Sequence, residues 1–144
     1  MAASDKLIAN MKHLDPRAAW AQIQQTPKAL FVDVRMEIES LYVGRPPLVE
    51  NIPWYEYPEL QANPAQFVAA VEAVIGREAG DKARPIFLIC RSGKRTLDAG
   101  NALEAAGFTD VTNILHGFEG ELDATFHRSR INGWRFDGLP WEQM

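Results

Sequence analysis

Pro85-Ile86-Phe87-Leu88-Ile89-Cys90-Arg91-Ser92-Gly93-Lys94-Arg95-Thr96 sets an apolar run, a cysteine, a basic glycine-bearing turn and a helix start in direct succession. The apolar run is too short for a helix and reads as a strand buried on both faces, the pattern of a parallel sheet. In open parallel sheets, sites form beyond the carboxyl ends of the strands. Cys90 holds that place, ending the strand just before a turn. The helix that follows is expected from about Arg95 to Ala106, with Gly107 in the position glycine favours after a helix.

The flanking sequence repeats the alternation. Ala29-Leu30-Phe31-Val32-Asp33-Val34 and Val111 to Leu115 read as further buried strands. Asp15-Pro16 reads as the cap and first residue of a helix with Trp20 and Ile23 on its apolar face, stopped by Pro27. Asn63-Pro64 starts another, with Phe67, Val68, Val71, Val74 and Ile75 at helical spacing until Gly76 and Gly80 break the pattern. Between them, Arg35 to Pro58 is rich in proline and reads as a long connection with a short strand near Asn51-Ile52. The fold class is therefore α/β, three layers, with helices on both faces of a mostly parallel sheet.

The chain has 144 residues, 47% hydrophobic and 24% charged, the size and balance of one globular domain. A single domain over 1–144 is expected, with a core of about 13–131. The aromatic tail 132–144, carrying Trp134, Phe136 and Trp141, should pack upon it. A formal net charge of −4 argues against nucleic acid or an anionic membrane as partner. There is no run of about eighteen apolar residues and no signal-peptide core, so a cytoplasmic location is expected. The one cysteine excludes an internal disulfide, a Cys-x-x-Cys pair and a thiolate zinc cage.

A lone cysteine at a strand end is often only a small buried hydrophobe. The surroundings of Cys90 oppose that reading. Gly93 lets the loop curl so that several N–H groups point inward as an anion nest. The following helix adds the positive end of its dipole. Arg91, Lys94 and Arg95 stand within five residues of the sulfur. Each of these features favours the thiolate over the thiol, so Cys90 is expected to act as a nucleophile.

Cys90-Arg91-Ser92-Gly93-Lys94-Arg95 resembles the active-site loop of the rhodanese family. Phe31-Val32-Asp33-Val34-Arg35 resembles that family's first strand motif, and Gly44-Arg45-Pro46-Pro47 through Asn51-Ile52-Pro53 its proline-rich segment. Leu115-His116-Gly117-Phe118-Glu119-Gly120 resembles the stretch after its last strand, and Asn132-Gly133-Trp134 to Leu139-Pro140-Trp141 the tails of single-domain bacterial members. The resemblance spans about residues 13 to 141. It departs at Arg45, where the family has His, at Leu48-Val49 in place of Gly-Ala, and at Phe118 in place of a second Gly.

The resemblance implies a five-stranded sheet and a two-step sulfur exchange. Cys90 takes the outer sulfur of thiosulfate or a similar small anionic donor as a persulfide, then yields it to cyanide, a thiol or a protein thiol. Arg91, Ser92, Gly93, Lys94, Arg95, Thr96 and Arg35 are the expected substrate-binding residues, Asp33 supports them, and no cofactor or metal is needed. Cysteine-dependent phosphatases on related folds carry arginine six positions after the cysteine and usually His before it. Here those positions are Thr96 and Ile89, which disfavours phosphoryl chemistry. A second reading is a non-catalytic persulfide carrier or sulfur-sensing module. Asp33 reads first as a structural hydrogen-bonding group, and Arg35 equally as half of a buried ion pair. His13, His116 and His127 lack metal-ligand spacing. Trp54, Tyr55 and Tyr57 read as packing groups before a docking rim, and Glu37-Ile38-Glu39 as a solvated turn.

Overall fold

The computed structural model describes residues 10–76 and 81–144; Gly80 and the first nine residues lie outside them. Five strands form one sheet: β1 (Lys12–Leu14), β2 (Leu30–Asp33), β3 (Glu50–Asn51), β4 (Ile86–Ile89) and β5 (Val111–Ile114). Their order is β1-β5-β4-β2-β3, and every pairing is parallel. All carboxyl ends therefore open on one edge, where β4 sits between β2 and β5.

Helix α1 (Pro16–Gln25) starts where the Asp15 side chain accepts from the Ala18 N–H at 2.9 Å. Asn63 caps α2 (Pro64–Ile75) in the same way through Gln66 N–H, and Gly76 ends it in the left-handed conformation. Helix α3 (Arg95–Ala105) follows the cysteine loop, and no side chain caps its first turn.

β2, β4 and β5 are buried at every position, as strands covered on both faces of a parallel sheet are. On one face Phe67, Val71 and Ile75 of α2 and Ala99 and Leu103 of α3 pack on Val32, Ile86, Leu88 and Val111. On the other, Ala19 and Ile23 of α1 pack on Phe31, Phe87, Ile89 and Ile114, together with Phe118 and the wholly buried Trp134 of the tail. Trp20 meets Trp134 edge-on at 5.4 Å between centroids, and the Trp134 indole N–H donates to Pro140 O at 2.7 Å.

Two features differ from the sequence reading, and a third was not addressed by it. β1 precedes α1, a short edge strand tied on by Leu115 N–H donating to Leu14 O at 2.8 Å. A π-helical turn at Glu39–Val43 interrupts the long connection. Leu48, at one of the positions where the family pattern carries Gly-Ala, has φ +68°, so it keeps a backbone conformation that favours glycine. Among the described residues, no helix is long and apolar enough to cross a membrane.

Candidate functional site

Cys90 follows β4 at the centre of the carboxyl edge and is 1% exposed. The loop must turn sharply back towards the sulfur, and Gly93 makes that possible with φ +96°. Its N–H donates to Cys90 Sγ at 3.2 Å. The uncapped start of α3 lies immediately beyond, so the positive end of that helix acts on the same spot.

A second loop holds the first in place. Cys90 O accepts from Phe118 N–H at 2.7 Å, and Arg91 O accepts from Glu119 and Gly120 N–H at 2.9 and 3.2 Å. These bonds fix the loop that carries the Gly93 N–H to the sulfur. Gly117 has φ +65°, and a Cβ there would run into Cys90 O and would lie 2.6 Å from the Arg91 carbonyl carbon. The glycine is needed for close approach of two backbones. Gly93 is tight from the other side, since a Cβ on it would lie 3.2 Å from His116 N.

The cations near the sulfur divide into two groups. Arg91 and Lys94 are exposed and form no ion pair among the described residues. Ser92 and Lys94 join Glu121, Leu122 and Arg128 in lining a cavity of about 300 Å³. Arg95, expected at the substrate, is instead held by Glu39: Nη1 and Nη2 donate to the two carboxylate oxygens at 2.8 and 3.0 Å, and Cζ lies 5.4 Å from the Tyr55 ring centre. Burial opposes the charge on each partner. For Glu39, the hydrogen bonds and charge of Arg95 outweigh it, with Met36 N–H and Arg35 adding to the effect, and its carboxyl lies below the usual glutamate range. For Arg95, the Glu39 carboxylate outweighs burial and raises the guanidinium above its ordinary value, with a smaller contribution from Cys90.

Glu39 is therefore an anchor of the cysteine loop, not part of a solvated turn. Its folded value is depressed, so its contribution to stability is present above the unfolded carboxyl range and is lost as pH falls through the folded value. Glu39→Gln should lower stability by about 1–3 kcal/mol at neutral pH. Denaturant melts of both proteins across pH should show the gap closing in acid; a gap independent of pH would contradict the pairing.

Arg35 takes the second of its two readings, half of a buried ion pair. Its side chain is wholly buried and grips Asp33, with Nε to Oδ1 at 2.9 Å and Nη2 to Oδ2 at 2.7 Å. Nη2 also donates to Gly44 O at 2.7 Å, and Cζ lies 4.7 Å from the centre of the Phe118 ring. The pair ties β2 to the loops around the site, and burial keeps Arg35 from solvent and from a donor arriving through it. Phe118, which replaces a glycine of the family pattern, fills the space between Arg35 and Trp141; the two rings meet edge-on at 5.9 Å. Thr96 is also wholly buried, with Oγ1 3.6 Å from Sγ, so it meets the cysteine sulfur from inside the fold.

Of the remaining aromatic and histidine candidates, Trp54 is core, edge-on to Phe67 at 5.3 Å, while Tyr57 is largely exposed. His116 lies 3.4 Å from Glu121. Among the described residues, no cluster of His, Cys, Asp and Glu could hold a metal ion. Sequence reasoning missed Glu39, whose partner lies 56 positions on, and the amide of Asn113, a polar residue within an apolar strand.

Similarity to known proteins agrees with this geometry. The Rhodanese-like domain family matches residues 15–122. An uncharacterised protein of Rickettsia prowazekii is 34% identical over 114 residues, covering 79% of this chain and 83% of its own. The crystal structure of Rv0390 from M. tuberculosis superposes with a TM-score of 0.78 at 35% identity, covering 92% of this chain and 98% of that one. The polysulfide-sulfur transferase homodimer of Wolinella succinogenes shares the fold, with a TM-score of 0.59 at 20% identity, over 98% of this chain and 85% of its own. With a parallel sheet, a cysteine loop at its carboxyl edge and a family match over most of its length, the chain belongs to the rhodanese-like domain family.

Proposed function

We propose that this protein is a sulfurtransferase that carries sulfane sulfur on Cys90 as a persulfide, with thiosulfate or a donor of similar charge and shape as its source. The observation that carries the reading is the Gly93 N–H bonded to Sγ at the foot of an uncapped helix. A donor and a helix dipole fixed beside the sulfur stabilise a sulfur anion without reorganisation. The exposed Arg91 and Lys94 supply positive charge for an anionic donor at the mouth of the loop.

The exchange balances without a cofactor. The Cys90 thiolate attacks the outer sulfur of thiosulfate, the new S–S bond forms, and the donor's S–S bond breaks with its electron pair leaving as sulfite. Cyanide in an assay, or a small or protein thiol in the cell, then attacks the outer persulfide sulfur and returns Cys90 to the thiolate.

Thiosulfate:cyanide turnover by the native protein and by Cys90→Ser tests this. Turnover in the native protein that falls to background in the variant supports the enzyme. A sulfur adduct on native protein without turnover would point to a persulfide carrier. Equal turnover in both proteins would refute the role of Cys90.

A further inference from the structure

Behind the sulfur, a line of polar groups crosses the sheet. Cys90 Sγ lies 3.6 Å from Thr96 Oγ1, which donates to Asn113 Oδ1 at 2.6 Å, and Asn113 Nδ2 lies 3.1 Å from His13 Nδ1. Thr96 and Asn113 are 0% and 2% exposed, whereas His13, opposite Asn113 in the β1–β5 register, is exposed.

The direction of these bonds follows from the atoms. An amide oxygen has no proton to give, so the short Thr96–Asn113 contact takes the only hydroxyl proton of Thr96. Oγ1 then presents lone pairs to Sγ. A thiol can donate to them, and the inner sulfur of a persulfide is neutral, its charge lying on the outer atom. A bare thiolate meets them as like charge. At the other end, Nδ2 can only donate, so His13 Nδ1 must accept. Turning the Asn113 amide over would make Nδ2 donate to Thr96 Oγ1, free the hydroxyl proton to turn to the sulfur, and require a proton on His13 Nδ1. The amide orientation and the imidazole tautomer are locked together.

The geometry points to Asn113 as a positioning residue that aims the Thr96 lone pairs at Cys90 Sγ, with His13 holding the amide in that sense. The arrangement disfavours the empty thiolate relative to a sulfur-loaded Cys90. That consequence for loading rests on the persulfide reading above; the hydrogen-bond polarity does not.

Asn113→Leu frees the Thr96 hydroxyl to turn its proton onto the sulfur, and a hydrogen bond to a charged group is stronger than one to a neutral group. The ultraviolet absorbance of the thiolate, which has one source in this single-cysteine chain, should then appear about one pH unit lower, a tenfold effect. The shift should persist with Thr96→Ser and vanish with Thr96→Val, which has no hydroxyl. A merely structural role for Asn113 would give the same shift with native Thr96 as in the Thr96→Val background, and that result, or no shift at all, overturns the inference. Asn113→Ala, which opens the site rather than overfilling it, gives the same comparison if the leucine variant does not fold. The titration needs no sulfur donor. A protein that titrates as expected yet accepts no sulfur would refute the proposed function while leaving this inference intact.

Discussion

Gly117→Ala should lower sulfur-transfer turnover by roughly a hundredfold, because a misplacement of about 1 Å at a reacting centre has an effect of that order. A Cβ on residue 117 would run into Cys90 O and lie 2.6 Å from the Arg91 carbonyl carbon and oxygen, so one of the two loops must move. Residue 117 also has φ +65°, a conformation that costs an L-residue about 1–2 kcal/mol. Both loops are backbone-bonded to each other through Cys90 O and Arg91 O, so displacement is transmitted to the amide that faces the sulfur. The variant should fold with reduced stability and load sulfur slowly. Circular dichroism and turnover, measured together, separate that outcome from global unfolding. Native turnover in a folded Gly117→Ala protein would show that the second loop does not fix the first.

The second large effect is on stability. Asp33→Ala leaves the guanidinium of Arg35 wholly buried without its carboxylate. Removing one partner of a buried pair costs about 3–5 kcal/mol, because the remaining charge is uncompensated. For a domain of this size that is a fall in Tm of roughly 10–17 °C. Changing both residues, Asp33→Leu with Arg35→Met, removes the orphan charge and should recover part of the loss. Gly44 O, which accepts from Arg35, and Arg35 N–H, which donates to Asp33, would still lack their partners. Calorimetric melting of the single and double variants measures both effects. A single variant that melts with the native protein would contradict the ion-pair assignment.

The sequence revealed those parts of the fold in which one local signal coincides with burial. β2, β4 and β5 are buried at every position because both faces are covered, and the mainly apolar runs of β2 and β4 made that legible, while Asp15 and Asn63 mark helix starts because capping acts over three residues. β1 was hidden, since three residues that begin with exposed Lys and His carry no burial pattern, and backbone pairing with β5 alone makes them a strand. The two-residue β3 is too short for any periodicity.

The cysteine loop was legible for the same local reason: strand, cysteine, glycine and helix adjoin in the chain. Which cations remain free around it was not. Arg35 is taken by Asp33, two residues away and already one of its two readings, but Arg95 is taken by Glu39, a carboxylate brought from a distant turn by tertiary structure. Arg91 and Lys94 are left to face solvent. Asn113 carried a signal, since a buried strand amide must find partners. Its link to Cys90 needed α3 to bring Thr96 between them.

The proposed sulfur transfer requires that Cys90 Sγ accept and keep a sulfur atom. Intact-mass spectrometry after thiosulfate treatment and desalting reads this directly, because the chain holds a single cysteine. The expected result is a gain of one sulfur atom in the native protein, removed by cyanide and absent from Cys90→Ser. No gain in the native protein, or the same gain in the serine variant, would contradict it.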